Sequence, residues 1–265
     1  MDIIKRNFLQ LIMAGAFGEP ANVEPMSRYK WDILFHVTYI HNVVDFINKG
    51  IYSNKCNIDA IPKDIIIKYK DTTQNLPDAG LSHMCNRILN SRLQKIREKE
   101  PSAEDSSIET LNMLDIIVQA SENIMTYGLS FANILKIGIY LRTDGDKVDF
   151  IKLEKWLHKL NISRMAQLEG SILISIFDFQ NEEIPFVERI EPSAAKFAIQ
   201  ALEKPIHIDV EEWKISQKST IFIANNSKAM MKTVNNCLRY FFFSPIEATS
   251  NFLHRFVYSL SNLEE

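Results

Sequence analysis

Cysteine is scarce in this 265-residue chain: Cys56, Cys85 and Cys237 are the only three. They are far apart, odd in number and never in a CxxC pair, which excludes a disulfide framework and fits free thiols in a reducing compartment. Glycine is scarce too, and the eight glycines never form GxGxxG or the GxxxxGK-Ser/Thr loop, so no phosphate-cradling turn is present. There is no GxSxG elbow for a nucleophilic serine. The six histidines are His36, His41, His83, His158, His207 and His254, and none are spaced as HxxxH or HxxH. His36 and His41 point to different helix faces, and His83 with Cys85 lacks the second ligand pair of a zinc site. No cofactor is expected from these patterns. Neither sign of charge dominates, with 30 Lys+Arg against 33 Asp+Glu and a net charge of -3, so nothing pulls the whole chain toward nucleic acid or an anionic membrane. No apolar run reaches the ~20 residues that span a bilayer. The opening MDIIKRNFLQLIMAGAFGEP carries Asp2 ahead of its basic pair and keeps a helical period, so it reads as a helix rather than a leader. A cytoplasmic protein with no membrane partner is the expectation.

Two carboxylate clusters imitate metal sites. Asp144, Asp146 and Asp149 resemble the start of a calcium loop, but Val148 holds the fifth position and no glycine stands at the sixth. In IHIDVEEW, Asp209 and Glu211 alternate as the metal-binding pair of a nucleotidyl-transfer site would. The Gly-Ser turn that should precede them is represented only by Gly170-Ser171, inside a helical run.

What the chain has in quantity is helix-period apolar sequence, within a 46% apolar composition. Ile4, Phe8, Leu11 and Ile12 mark a first helix stopped by Gly15, Gly18 and Pro20. From Ser27 to Lys49, Ile33, Val37, Ile40, Val44, Ile47 and then Ile51 read as one long helix ended by Gly50. Residues 60–71 make a short helix behind Pro62. The longest periodic stretch, Thr126 to Phe186, predicts three packed helices, the last striped by Met165, Leu168, Ile172, Ile176 and Phe179. Near the C-terminus, Met231, Val234, Leu238 and Phe241 keep a helical period. Ser244, Pro245 and Glu247 then form a capping-box start for a final helix. Residues 205–223 read equally as short strands or an irregular arm. The fold class is all-α, an irregular bundle of about nine to eleven helices without substantial sheet. Three parts are delineated: an N-terminal helical lobe (1–71), a charged connecting segment (72–107), and a C-terminal helical core with its tail helix (108–265).

The connecting segment holds the densest basic cluster. Leu89, Leu93 and Ile96 lie on one face of a helix, and Arg87, Arg92, Lys95, Arg97 and Lys99 surround it. These five are the candidate phosphate- or partner-binding residues. The competing reading is a solvated helix face with Glu98 and Glu100 interspersed, and the lack of aromatics disfavours single-stranded nucleic acid.

The order of segments resembles an uncharacterised nucleotidyltransferase-like family of Bacteroidetes, often associated with surface-polysaccharide gene neighbourhoods. FLQLIMAGAFGE followed by MSRYKWDILFHVTYIHNVVDFINKGI looks like its opening helices. DKVDFIKLEKWLHKLNISRMAQLEGSILISIF followed by EEIPF looks like its C-terminal helical domain, and LRYFFFSPIEATSNFLHRFVYSL is similar to its tail helix. The family's α/β palm, with a lysine-glycine turn and a GDIDL-type strand, has no counterpart, since residues 72–107 are too short and carry neither motif. Ala132 and Lys136 stand where the family tends to show an arginine and an aspartate. The resemblance implies a palm-less, non-catalytic derivative that acts as an interaction or regulatory partner, of a complete nucleotidyltransferase for example, in surface-polysaccharide metabolism. Two alternatives stay open. One is a divergent enzyme with a rebuilt inter-helix site using carboxylates such as Asp115 or Glu154. The other is a nucleotide- or nucleic-acid-binding module using residues 87–99.

Overall fold

The computed structural model describes residues 1–53, 55–72, 82–206 and 234–261. These residues form α1 (Ile3–Phe17), α2 (Arg28–Ile40), α3 (Val44–Ile51), α4 (Lys63–Asp71), α5 (Arg87–Lys99) and α6 (Ile108–Tyr127). They continue as α7 (Phe131–Asp144), α8 (Phe150–Lys159), α9 (Ser163–Phe177), α10 (Ala194–Ile206), α11 (residues 234–240) and α12 (Pro245–Ser261). The chain is all-α. Among the described residues there is no strand, only an isolated parallel bridge between Ala21 and Cys56. Twelve helices among these residues exceed the expected nine to eleven, because the helix read from Ser27 to Lys49 is two. Asn42 adopts a left-handed φ of 55° and Val43 N–H turns back to Thr38 O, which ends α2 and starts α3 in a new direction. The apolar period runs unbroken across this kink, which is why it was invisible to periodicity. Ile40, placed on the inward stripe, lies at the surface.

Gly15 and Gly50 do not stop helices as expected; both lie within them. The stop of α1 is Gly18, whose φ is 70° and whose N–H bonds Ala14 O. A Cβ added to Gly15 would lie 1.7 Å from the carbonyl oxygen of Phe46, and one added to Gly50 would lie 2.1 Å from that of Leu11. The backbones of α1 and α3 therefore touch, and only residues without side chains fit between them.

From this crossing α1 turns its other face to the C-terminal helices. A chain of edge-on rings runs from Phe17 to Phe177 and Phe179, from Phe177 to Phe131, and from Phe131 to Phe8, with centroids 5.3–6.0 Å apart. Each such contact adds roughly 0.5–1.5 kcal/mol to the burial of the rings. α9 lies at the centre as its periodicity predicts: Met165, Leu168, Ile172, Leu173 and Phe177 are buried, with α7 and α10 packed against it. The buried apolar residues, from Ile4 to Ala248, form one contiguous cluster. The caps Asp2, Asn86, Ser107 and Asp149 accept N–H bonds from the first turns of α1, α5, α6 and α8.

His41 joins four helices at the kink after α2. Its carbonyl accepts from Ser130 Oγ (2.8 Å) and Ala132 N–H (3.3 Å) at the start of α7. Its Nε2 donates to Ala201 O of α10 at 3.2 Å, and its ring packs edge-on against Phe131 at 4.9 Å. Complete burial lowers its pKa to about 4, against a smaller opposing pull from the Ala201 carbonyl.

Two outcomes are expected. Gly50→Ala forces the α1 and α3 backbones apart and lowers stability by about 3 kcal/mol, a Tm drop of roughly 6–12 °C in thermal melts. His41 stays neutral in the folded chain while the unfolded imidazole titrates near 6.5. Stability is therefore complete above pH 6.5 and falls as pH drops toward 4, by about 3 kcal/mol from this group. Urea titrations from pH 7 to 4 should show that slope, and His41→Gln should flatten it.

Candidate functional site

Helix α5 separates the predicted basic cluster into two kinds of residue. At about 100° per residue, Arg92, Lys95 and Lys99 share one exposed face, Arg87 stands exposed at its edge, and Arg97 lies on the opposite side against α6. Arg97 is thus a structural residue, and its reading as part of a partner-binding surface is corrected. Its side chain is 9% exposed. Its Nη2 bonds Asp115 Oδ1 at 2.5 Å and the Ser82 carbonyl at 2.7 Å, and Nε reaches the same carboxylate at 3.1 Å. Leu93 and Ile96 bury the flank of α5, so a guanidinium one position on from Ile96 meets the protein rather than water.

The exposed face of α5 is extended by α8, which sequence spacing did not associate with it. Arg92 Nη1 donates to Lys159 O at 3.0 Å, and Lys152 Nζ pairs with Glu100 Oε1 at 2.9 Å. The end of α5 therefore lies by the start of α8, and the two helices run antiparallel. Lys155 and Lys159 are exposed on α8, so five cations, Arg92, Lys95, Lys99, Lys155 and Lys159, share one side of a protein whose net charge is -3. Their signal was present in sequence as two outward lysines four apart beside inward Leu153 and Leu157. The adjacency of the two helices was not.

A second polar locus lies between the start of α5, α6 and α12. Glu247 was expected to cap its own helix. Its carboxylate instead accepts the N–H groups of Cys85 and of Asn86 (3.1 Å), and Ser244 Oγ is buried without a hydrogen-bond partner. The first turn of α12 docks on the residues that lead into α5, where the N–H groups and the positive dipole end of the helix attract the anion. Burial pushes the Glu247 carboxyl up from its ordinary value, and the two N–H bonds pull it back. His83 Nε2 lies 3.3 Å from Glu122 beside it. Behind this group Ser121 Oγ donates to Glu169 Oε1 at 2.9 Å. Glu169 is fully buried with its other oxygen unpartnered, and burial raises its pKa well above the ordinary carboxylate range, so it is held as the neutral acid. The sequence hint was a lone carboxylate on the inner stripe between Met165 and Ile172.

The cleft lined by His83, Ser121, Glu122 and Glu247 has a cavity volume of ≈ 10 Å³, room for about one water and far below the roughly 300–1,000 Å³ of organic-ligand pockets, so its acids hold helices together. Asp115 is occupied by Arg97 and Ser82, and Glu154 is half-buried on α8; neither lines this cleft. No group of three His, Cys, Asp or Glu placed to hold a metal occurs among the described residues. Asp209, Glu211 and His207 lie outside those residues. No family model, curated protein or solved structure matches the chain.

The two kinds of basic residue separate by mutation. Arg97→Ala leaves Asp115 and Ser82 without their partner and should cost about 2 kcal/mol in chemical denaturation. Lys95→Ala should change stability by no more than about 0.5 kcal/mol.

Proposed function

We propose that the chain is a non-catalytic helical interaction protein that holds an acidic partner protein against the α5–α8 face. The observation that carries this reading is the placement of exposed Arg92, Lys95 and Lys99 on α5 beside exposed Lys155 and Lys159 on α8, two helices joined by Arg92 to the Lys159 carbonyl and by Lys152 to Glu100, just past the end of α5. A fixed array of exposed cations steers and orients an anionic surface, adding more to association rate and specificity than to raw affinity. The residues that would offer acid–base chemistry are engaged elsewhere: Asp115 with Arg97, Glu247 with the start of α5, Glu169 with Ser121.

The resemblance to nucleotidyltransferase-like proteins suggests a complete nucleotidyltransferase of surface-polysaccharide metabolism as that partner. In that resemblance residues 72–107 take the palm's place in the chain, and their described part holds α5 and no strand. Nucleic acid is the second reading of the same face, favoured by the row of cations and disfavoured by the absence of exposed aromatic side chains among the described residues of α5 and α8.

Heparin serves as the polyanion probe. The wild-type chain should be retained at low salt, and the triple variant Lys95→Ala, Lys99→Ala, Lys155→Ala should lower the slope of log affinity against log salt by about 3. Flow-through of the wild type at about 0.1 M salt sinks the proposal. Binding of a short DNA duplex tighter than about 1 µM at physiological salt transfers the face to nucleic acid.

A further inference from the structure

The C-terminal helices leave a second surface open, of the opposite character. Leu238 on α11 and Phe241 in the turn after it belong to the set that keeps a helical period in the sequence. They are exposed, and Asn236, Cys237 and Tyr240 take the interior instead. Phe242 follows in the turn at 72% exposure, and on α12 Leu253 is 53% and Val257 63% exposed. Ile246 and Phe256 are exposed as well. At about 100° per residue, Phe256, Thr249, Leu253, Ile246 and Val257 fill an arc of roughly 100°, the width of a core-facing stripe. The core-facing side of α12 is a different one, carrying Glu247, Ala248 and Asn251.

We infer that this face is the interface of a homodimer, with α12 packed on α12 of a second copy. The seven exposed apolar side chains from Leu238 to Val257, four on α12 and three on α11 and the turn that leads into it, sum to roughly 700 Å² by the sizes of such residues. That exceeds the ~300–600 Å² patch of an ordinary monomer and approaches the ~800 Å² per partner of a standard interface. The α12 stripe holds no charged residue, as interface cores do, so a two-fold axis brings no like charges together. Ile246, Leu253 and Val257 are seven and four residues apart, the seam spacing by which identical helices pair. Between them Thr249 is small, and its hydroxyl is already bonded to Pro245 O at 2.7 Å, so covering it strands no polar group.

The inner side of α12 and the edge at Ser250 are fixed before any association. Glu247 holds the start of α5, Asn251 Nδ2 donates to Thr126 Oγ1 at 3.0 Å, and Asn86 Nδ2 donates to Ser250 Oγ at 3.0 Å. The outer face is therefore presented ready-made, and pairing requires little ordering of the helix that carries it. The inference is independent of the α5–α8 reading, because no residue belongs to both faces.

Sedimentation velocity of the full chain, from about 1 to 100 µM, tests it. The expected result is a concentration-dependent species of twice the 30.6 kDa chain mass. The double variant Phe242→Asp, Leu253→Asp should dissociate at least about 100-fold more readily. Ile67→Asp, on the exposed side of α4, should leave the dimer intact. Circular dichroism melts check that the double variant is folded; if it is not, Phe242→Asp alone, in a turn outside the helices, provides the comparison. A wild type that remains at the chain mass throughout, or a dimer as tight in the folded variant as in the wild type, overturns the inference.

Discussion

The contact on which the packing of the N-terminal helices depends is between two backbones. At the crossing of α1 and α3, Gly15 and Gly50 face the carbonyls of Phe46 and Leu11 so closely that no Cβ fits on either residue. Such an approach sets the axis separation of the pair, and so the angle at which α1 carries Phe8 and Phe17 into the rest of the molecule. The rings of Phe131, Phe177 and Phe179 meet them edge-on. Because protein interiors are packed as densely as organic crystals, a displacement at the crossing is passed to α7 and α9 through these rings.

Polar groups then decide how the helices are joined at their ends. His41 accepts the start of α7 and donates to α10, Arg97 ties α5 to α6 through Asp115, and Glu247 ties α12 to the start of α5. Each serves a helix terminus or a buried loop whose backbone groups would otherwise lack partners. Their titration properties follow from that service: burial favours the neutral imidazole of His41 and the neutral acid of Glu169. Among the exposed residues, cations gather on α5 and α8, and apolar side chains on α12 and the end of α11.

Much of the architecture was legible in the chain because helices are written locally. The period of Met165, Leu168 and Ile172 identified α9, and the abundance of helix-period runs identified the all-α class. The failures have a common form. Gly15 and Gly50 read as helix stops because propensity cannot register that another backbone occupies the missing side chain's place. Glu247 read as a cap for α12 because the competing N–H groups, of Cys85 and Asn86 just before α5, are more than 150 residues away in sequence. Arg97 read as one cation among five because Asp115 is 18 residues distant and its side of the helix is decided by what packs there.

The amino-acid sequence by itself determined the class of fold, the positions of most helices and the central place of α9, since these rest on i to i+4 spacing, caps and turn residues. Tertiary structure alone decided which cations stand in water, which carboxylates are spent on helix ends, and which side of α11 and α12 is left bare. Those properties belong to pairs of elements distant in sequence. A charge is a ligand-binding group or a structural one according to what the fold sets beside it.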